Sequence, residues 1–355
     1  MSGKRLTSVD SWVNRFVTHV QTTVEPRLPA ARGPLSMAVR RSLTKPAPRD
    51  QLARIGASVR DSDPYGLDLQ LALYICYELH YRGFAGVDPT WEWDPGLLHL
   101  RGQLERAFLA GVRRDVGAIE PSQTAAAEMD SLSIESTDGT GPSYWLRDSG
   151  TWEQMREYFV HRSLYHLKEG DPHAWAIPRL TGQAKASFVA VEFDEYGAGR
   201  GPQAHQQLFA DLLTAANLDS TYLAYLDAVP AESLAVVNLM SLFGLHRRLR
   251  GAVIGHFAST EITSSPGSRR LVEALQRLAA PQECVAFYRE HVEADAVHEQ
   301  VVRVDVVGDL VAREPQLHRD VVFGIRAHAV VEDRLADAIM ASWKAGQTSL
   351  RRPLS

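Results

Sequence analysis

Apolar residues recur at helical spacing in 67–82, 154–168, 178–195, 204–216, 232–262, 268–279 and 281–311, and convincing alternation of period two is absent. A chain patterned this way must bury helix faces against helix faces, so the expected fold class is all-α. With 355 residues and 45% hydrophobic content, it can enclose one large core or two moderate ones. The pattern breaks once, in GAIEPSQTAAAEMDSLSIESTDGTGPS at 117–143, where turn formers gather and little is apolar. This divides the chain into an N-terminal helical subdomain (1–118), a polar linker or long loop (119–149), a helical domain (150–345) and a short tail (346–355).

A net charge of -5 with scattered basic residues offers no electrostatic footprint for nucleic acid. A small-molecule partner is expected instead. Cys76 and Cys284 lie far apart without a CxxC, which suggests neither a disulfide framework nor a thiolate metal site. The start, MSGKRLTSVDSW, lacks the apolar run of a signal peptide, and no stretch approaches ~20 uninterrupted apolar residues. A cytoplasmic protein outside the membrane is the expectation.

The segment REHVEADAVHEQ, 289–300, carries the chemistry. Its His291, Asp295 and His298 are spaced i, i+4, i+7 and project within a ~60° arc, so one helix face can hold a metal. Other metal-competent side chains stand at or near helix ends: Glu169 in YHLKEGDPH, Glu195 in VEFDEYG, His205 just after the turn GAGRGP, and Glu261 before the Thr-Ser run of STEITSS, where a helix break is expected. Four carboxylates and three imidazoles exceed a tetrahedral zinc site, and their charge would neutralise two divalent ions. Mixed His and carboxylate ligation suits iron, with manganese second.

Other features carry less. GAGRG, 197–201, follows a helix rather than a strand and reads as a helix-breaking turn, not a phosphate loop. Glu78 with Arg82 reads as a surface or capping pair. His161, His166, His173 and His256 read as hydrogen-bonded or exposed histidines near the ligands. Arg250 shares the helical face of Glu261 to within ~20° and is the candidate to clamp a substrate carboxylate, against the plainer reading of an outward-facing arginine in LHRRLR.

The order Glu169, Glu195, His205, Glu261, His291, Asp295, His298, at intervals of 26, 10, 56, 30, 4 and 3 residues, resembles the haem-oxygenase-like diiron oxidases. The resemblance covers about 150–310, and LDLQLALYICYELHYRGFAGVDPTWEWDP is similar to extra helices of some members. It implies a haem-oxygenase-like helical bundle with an additional N-terminal helical subdomain, two iron ions held by those seven residues, and O2 as cosubstrate. Electrons would come from an external donor, a ferredoxin or another small reductant, because no flavin or nicotinamide motif is visible. Members of that family differ in reaction. N-oxygenation of a small amine, guanidine or amino acid is the leading expectation, with desaturation or C–C cleavage of an amino acid or fatty acid as the alternative. A non-catalytic helical binding protein and a haem oxygenase are the readings that no metal-bound carboxylate set would favour. A homodimer is among the assemblies open to the chain.

Overall fold

The computed structural model describes residues 25–44, 52, 59–135 and 139–354, apart from the side chains of Asp295 and Ala296. Among the described residues there is no strand, and the elements are helices joined by short turns, which agrees with the all-α expectation.

Two helices are buried on every side and organise the rest. These are α2 (Leu67–Glu78), preceded by α1 (Pro34–Thr44), and α10 (Ala231–Leu245). Neither has a polar face because each is surrounded by other helices. They pack on each other, and Asn238 of α10 donates to the backbone carbonyl (2.9 Å) and side chain (2.7 Å) of Gln70 on α2. The helices of 34–116, including α3 (Pro95–Val116), therefore share one continuous hydrophobic core with the remainder of the chain.

The stretch 119–149, expected as a polar linker or long loop, carries α4 (Ala125–Leu132) and α5 (Pro142–Asp148). Local chemistry starts the first: the Thr124 hydroxyl accepts from the Ala127 amide at 3.1 Å. Tertiary contacts anchor both, with Ala125, Met129 and Leu146 buried against the bundle and Arg277 donating to the Leu146 and Gly150 carbonyls. The short tail also packs down: Ser349 and Leu350 are buried, and the Ser349 hydroxyl lies 2.9 Å from His161 Nε2.

The site is framed by α6 (Trp152–His166), the single turn α7 (Asp171–Ala174), α8 (Gly182–Glu195), α9 (His205–Ala215), α11 (Arg250–Arg277), α12 (Gln282–Val301) and α14 (His318–Lys344). A capping box opens α6, the Thr151 side chain accepting from the Gln154 amide and Gln154 accepting from the Thr151 amide. The stretch 232–262 is not one helix. It divides at 246–249 into α10 and α11, and His246 turns out to bond Glu105 at 2.9 Å.

The expected break after Glu261 does not occur. Thr260 and Thr263 return their hydroxyls to the carbonyls of His256 (3.1 Å) and Ser259 (2.7 Å), and α11 runs on through Pro266 to Arg277. Beyond α12 the backbone loosens into a π-helical turn, Val302–Gly308, before the short α13 (Asp309–Arg313). Helix α14 was not anticipated by the periodicity reading. It crosses α11 backbone to backbone, because a Cβ on Gly255 would meet the Val321 carbonyl at 2.0 Å and one on Gly324 the Ala252 carbonyl at 2.0 Å.

Candidate metal centre

The expected ligands are delivered by five parts of this frame. Glu169 lies in the turn after α6, Glu195 is the last residue of α8, His205 the first of α9, Glu261 sits mid-way along α11, and His291 and His298 project from α12. The α8–α9 connection is what lets Glu195 and His205 face each other. Its turn passes so close to the chain beyond that a Cβ on Gly197, at φ 67°, would lie 2.5 Å from the Ala204 nitrogen. The reading of GAGRG as a helix-breaking turn matches this geometry.

The six side chains fall into two groups. Glu169, His205 and His291 offer ligand atoms within 4.8 Å of one another, as do Glu195, Glu261 and His298, and all six are buried. Asp295 lies on α12 between the two histidines, and its side chain is outside the described residues.

Hydrogen bonding orients the imidazoles. His291 Nδ1 donates to the Phe287 carbonyl at 2.8 Å, which turns Nε2 toward Glu169 Oε1, 3.6 Å away. His298 Nε2 lies 3.1 Å from Asp194 Oδ2, leaving Nδ1 facing Glu261 Oε2 at 3.2 Å. His205 Nδ1 is 2.8 Å from Glu195 Oε2 but off the line of a hydrogen bond, and Glu169 Oε2 is buried with no hydrogen-bond partner. Acceptors left this way among imidazoles are what a cation would satisfy. Nitrogen and oxygen donors without a thiolate suit iron or manganese, so the residues present fit the expected metal.

The charges are set by one another. Burial alone would raise the Glu169 carboxyl, but His166 and His291 outweigh it and hold it well below the ordinary range. His205 is pulled down by burial, yet the Glu195 and Glu169 carboxylates together outweigh that and raise it. Glu192, one turn before Glu195, is raised well above the usual carboxyl value by burial and then by repulsion from Glu195 and Glu261. Its two carboxyl oxygens have no hydrogen-bond partner, and Oε2 lies beside Gly170, next to Glu169.

Sequence reasoning passed over Glu192, although its i, i+3 relation to Glu195 was a usable signal. It also passed over Asp194. His166, read as a hydrogen-bonded or exposed histidine near the ligands, is hydrogen-bonded, its Nδ1 lying 2.8 Å from Glu169 Oε1.

Glu169 and His291 form one wall of a cavity of about 370 Å³. Tyr158, Tyr165, Phe287 and Tyr288 give it aromatic surface, and Arg162, His328, Glu332 and Asp333 give it charge. Arg162 clamps Glu332 through two bonds of 2.7 Å, and the two side chains are 22% and 23% exposed because they line this space. Arg250 takes no part. Its guanidinium is held by Glu314 and it does not line the cavity, whereas Arg162 does. Glu78 is likewise not a surface residue: it is fully buried and bonds Lys168 and Tyr222.

No described helix is long and apolar enough to cross a membrane. Among characterised proteins, the chain is similar to the nitrosourea synthase of Streptomyces achromogenes subsp. streptozoticus, at 25% identity over 177 residues. The match takes in 50% of this chain and only 38% of that protein. Residues 156–333 match the family described as iron-containing redox enzyme, a span that begins just before Glu169 and ends just after Glu332. The chain belongs to that family of iron-containing redox enzymes, with its all-α, haem-oxygenase-like fold.

Proposed function

We propose that this protein is a non-haem diiron oxygenase that transfers oxygen from O2 to the nitrogen of a small amine, guanidine or amino acid. The observation that carries the reading is the pair of buried His and carboxylate triads, one of which opens directly on the charged cavity. Glu169, His205 and His291 would hold one iron, and Glu195, Glu261 and His298 the other, with Asp295 from the same face of α12. Bound there, the two irons would supply the electrons and the Lewis acidity that O2 reduction requires. An external donor, a ferredoxin or other small reductant, would return them to the ferrous state.

The chain's own residues do the rest. Tyr158, Phe287 and Tyr288 give the cavity an aromatic wall, and Asp333 presents negative charge to a cationic nitrogen, the Glu332 carboxylate being paired with Arg162. Asp333 is raised by burial and by its neighbours Asp337 and Glu332, so a cation beside it relieves that repulsion. The first turnover is balanced as amine, O2, two electrons and two protons giving hydroxylamine and water. Further oxidation would lead to a nitroso or nitro product. The similarity to a nitrosourea synthase supports nitrogen as the target.

Anaerobic loading with Fe(II), metal analysis and turnover under labelled O2 test this. The expected result is two irons per chain and label on the substrate nitrogen. His205→Ala and His291→Ala are expected to lose iron and reduce oxygen uptake to background with far-UV circular dichroism intact. Label in water alone, with an alkene product, would move the assignment to desaturation, and near-wild-type turnover in both variants would remove the diiron centre.

A further inference from the structure

Three of the proposed ligands sit next to residues that bond one another. Arg82, just past α2, donates through Nη2 to the Leu167 carbonyl at 3.1 Å and to Gln206 Oε1 at 2.8 Å. Gln206, the neighbour of His205, donates through Nε2 to the carbonyl of Glu169 itself at 3.0 Å and to Asp171 Oδ1 at 3.2 Å. Tyr196, the neighbour of Glu195, donates its hydroxyl to that same Asp171 oxygen at 3.0 Å, and Asp171 Oδ2 lies 3.9 Å from Arg82. Every polar atom of the Gln206 amide is thereby used, and its orientation is dictated by the donor on one side and the acceptors on the other. The Arg82 guanidinium is also stacked over Tyr222 at 4.1 Å.

We propose that Arg82, Asp171, Tyr196 and Gln206 are positioning residues that hold the turns bearing Glu169, Glu195 and His205 in their metal-binding arrangement. Arg82 lies outside the 156–333 span that matches the family, so in this protein the region around α2 is a working part of the metal centre. The physical reason is the ligand set itself. Carboxylates crowded without a cation push apart, and the turn 167–171 resists through its buried Lys168 side chain and through bonds to its backbone. This network supplies such bonds from outside the charged cluster. It does so with neutral or partly exposed groups, Arg82 and Asp171 being 40% and 29% exposed, so it can be altered without opening the core.

The inference rests on the metal reading above, and its test separates the two. Fe(II) and Co(II) affinities are measured by chelator competition on the full chain, beside the thermal midpoint of the metal-free protein. Asp171→Ala and Arg82→Ala are expected to weaken metal binding about tenfold with little change in that midpoint. Asp171→Asn keeps an oxygen where Tyr196 and Gln206 donate and is expected to bind nearly as wild type. Tyr196→Phe, which removes one hydroxyl and leaves the packing, is expected to weaken binding by a few-fold and serves should Asp171→Ala misfold. Wild-type affinity in Asp171→Ala, Arg82→Ala and Tyr196→Phe would overturn the network alone, as would an Asp171→Asn as weak as the alanine variant. A wild-type chain that takes up no metal would overturn the metal reading and the network with it.

Discussion

Two buried charge clusters meet between residues 168 and 169, and they are built on opposite terms. On one side Lys168, 1% exposed, bonds the fully buried Glu78 at 2.9 Å, and Tyr222 donates to both Glu78 oxygens at 2.8 and 2.9 Å. The ammonium also stands over the rings of Tyr81 (4.2 Å) and Tyr74 (4.8 Å). Each charge is answered from within the chain. On the other side, Glu169, Glu192, Glu195 and Glu261 are buried among histidines with no lysine or arginine bonded to any of them among the described residues. The first cluster is complete as folded, whereas the second has negative charge that a bound cation would answer. Burial by itself therefore says little about function. The balance of charge does.

That contrast predicts opposite responses to mutation. Lys168→Met should strand the Glu78 carboxylate in the core and cost about 3–5 kcal/mol of stability in urea unfolding, with or without metal. The double variant with Glu78→Gln should recover much of it. An equally large loss in the double variant would mean that shape, not charge, governs this cluster.

Iron loading acts only on the other side. Under anaerobic conditions Fe(II) at a hundred times its dissociation constant should stabilise the protein by about 2.7 kcal/mol for each iron bound. Hydrogen exchange is expected to slow most in 289–300, where His291 and His298 make the inward face of α12 polar and apolar anchoring is correspondingly less. Uniform slowing across the bundle would show that the metals complete the whole fold rather than this face.

The smallest effect concerns Glu192. Its carboxyl value is raised in the folded chain, chiefly by burial, so the folded state binds its proton more tightly than the unfolded state does. The resulting stabilisation is full below the ordinary carboxyl range and is lost as pH rises through the elevated folded value. Glu192→Gln should accordingly gain on wild type as pH rises, by about 1 kcal/mol at neutral pH in the metal-free protein. A parallel pH profile for the two proteins would place Glu192 among answered charges after all.

Much was legible before any coordinates. The helical periodicity led to the all-α class, and the H-x3-D-x2-H face with its four outlying ligands led to a metal, because ligand type and helical spacing are local properties. The residues that proved unreadable owe their roles to distant partners. Glu78, read as half of a surface or capping pair, proved to be enclosed with α2, and Arg250, a candidate clamp or an outward-facing arginine, proved to be held by Glu314. Arg162 and Glu332, which line the cavity, are 170 positions apart.

The sequence by itself determined the kind of helix each segment makes and the chemical identity of a metal-competent ligand set, since both depend on near neighbours along the chain. Only the tertiary structure decided that Glu169, His205 and His291 gather in one group and Glu195, Glu261 and His298 in another, that Glu169 and His291 line the cavity, and that Arg82 reaches across to the ligand turns. Those outcomes depend on helices crossing at close range, as Gly255 and Gly324 allow, and a crossing is a relation between surfaces that no single stretch of sequence contains.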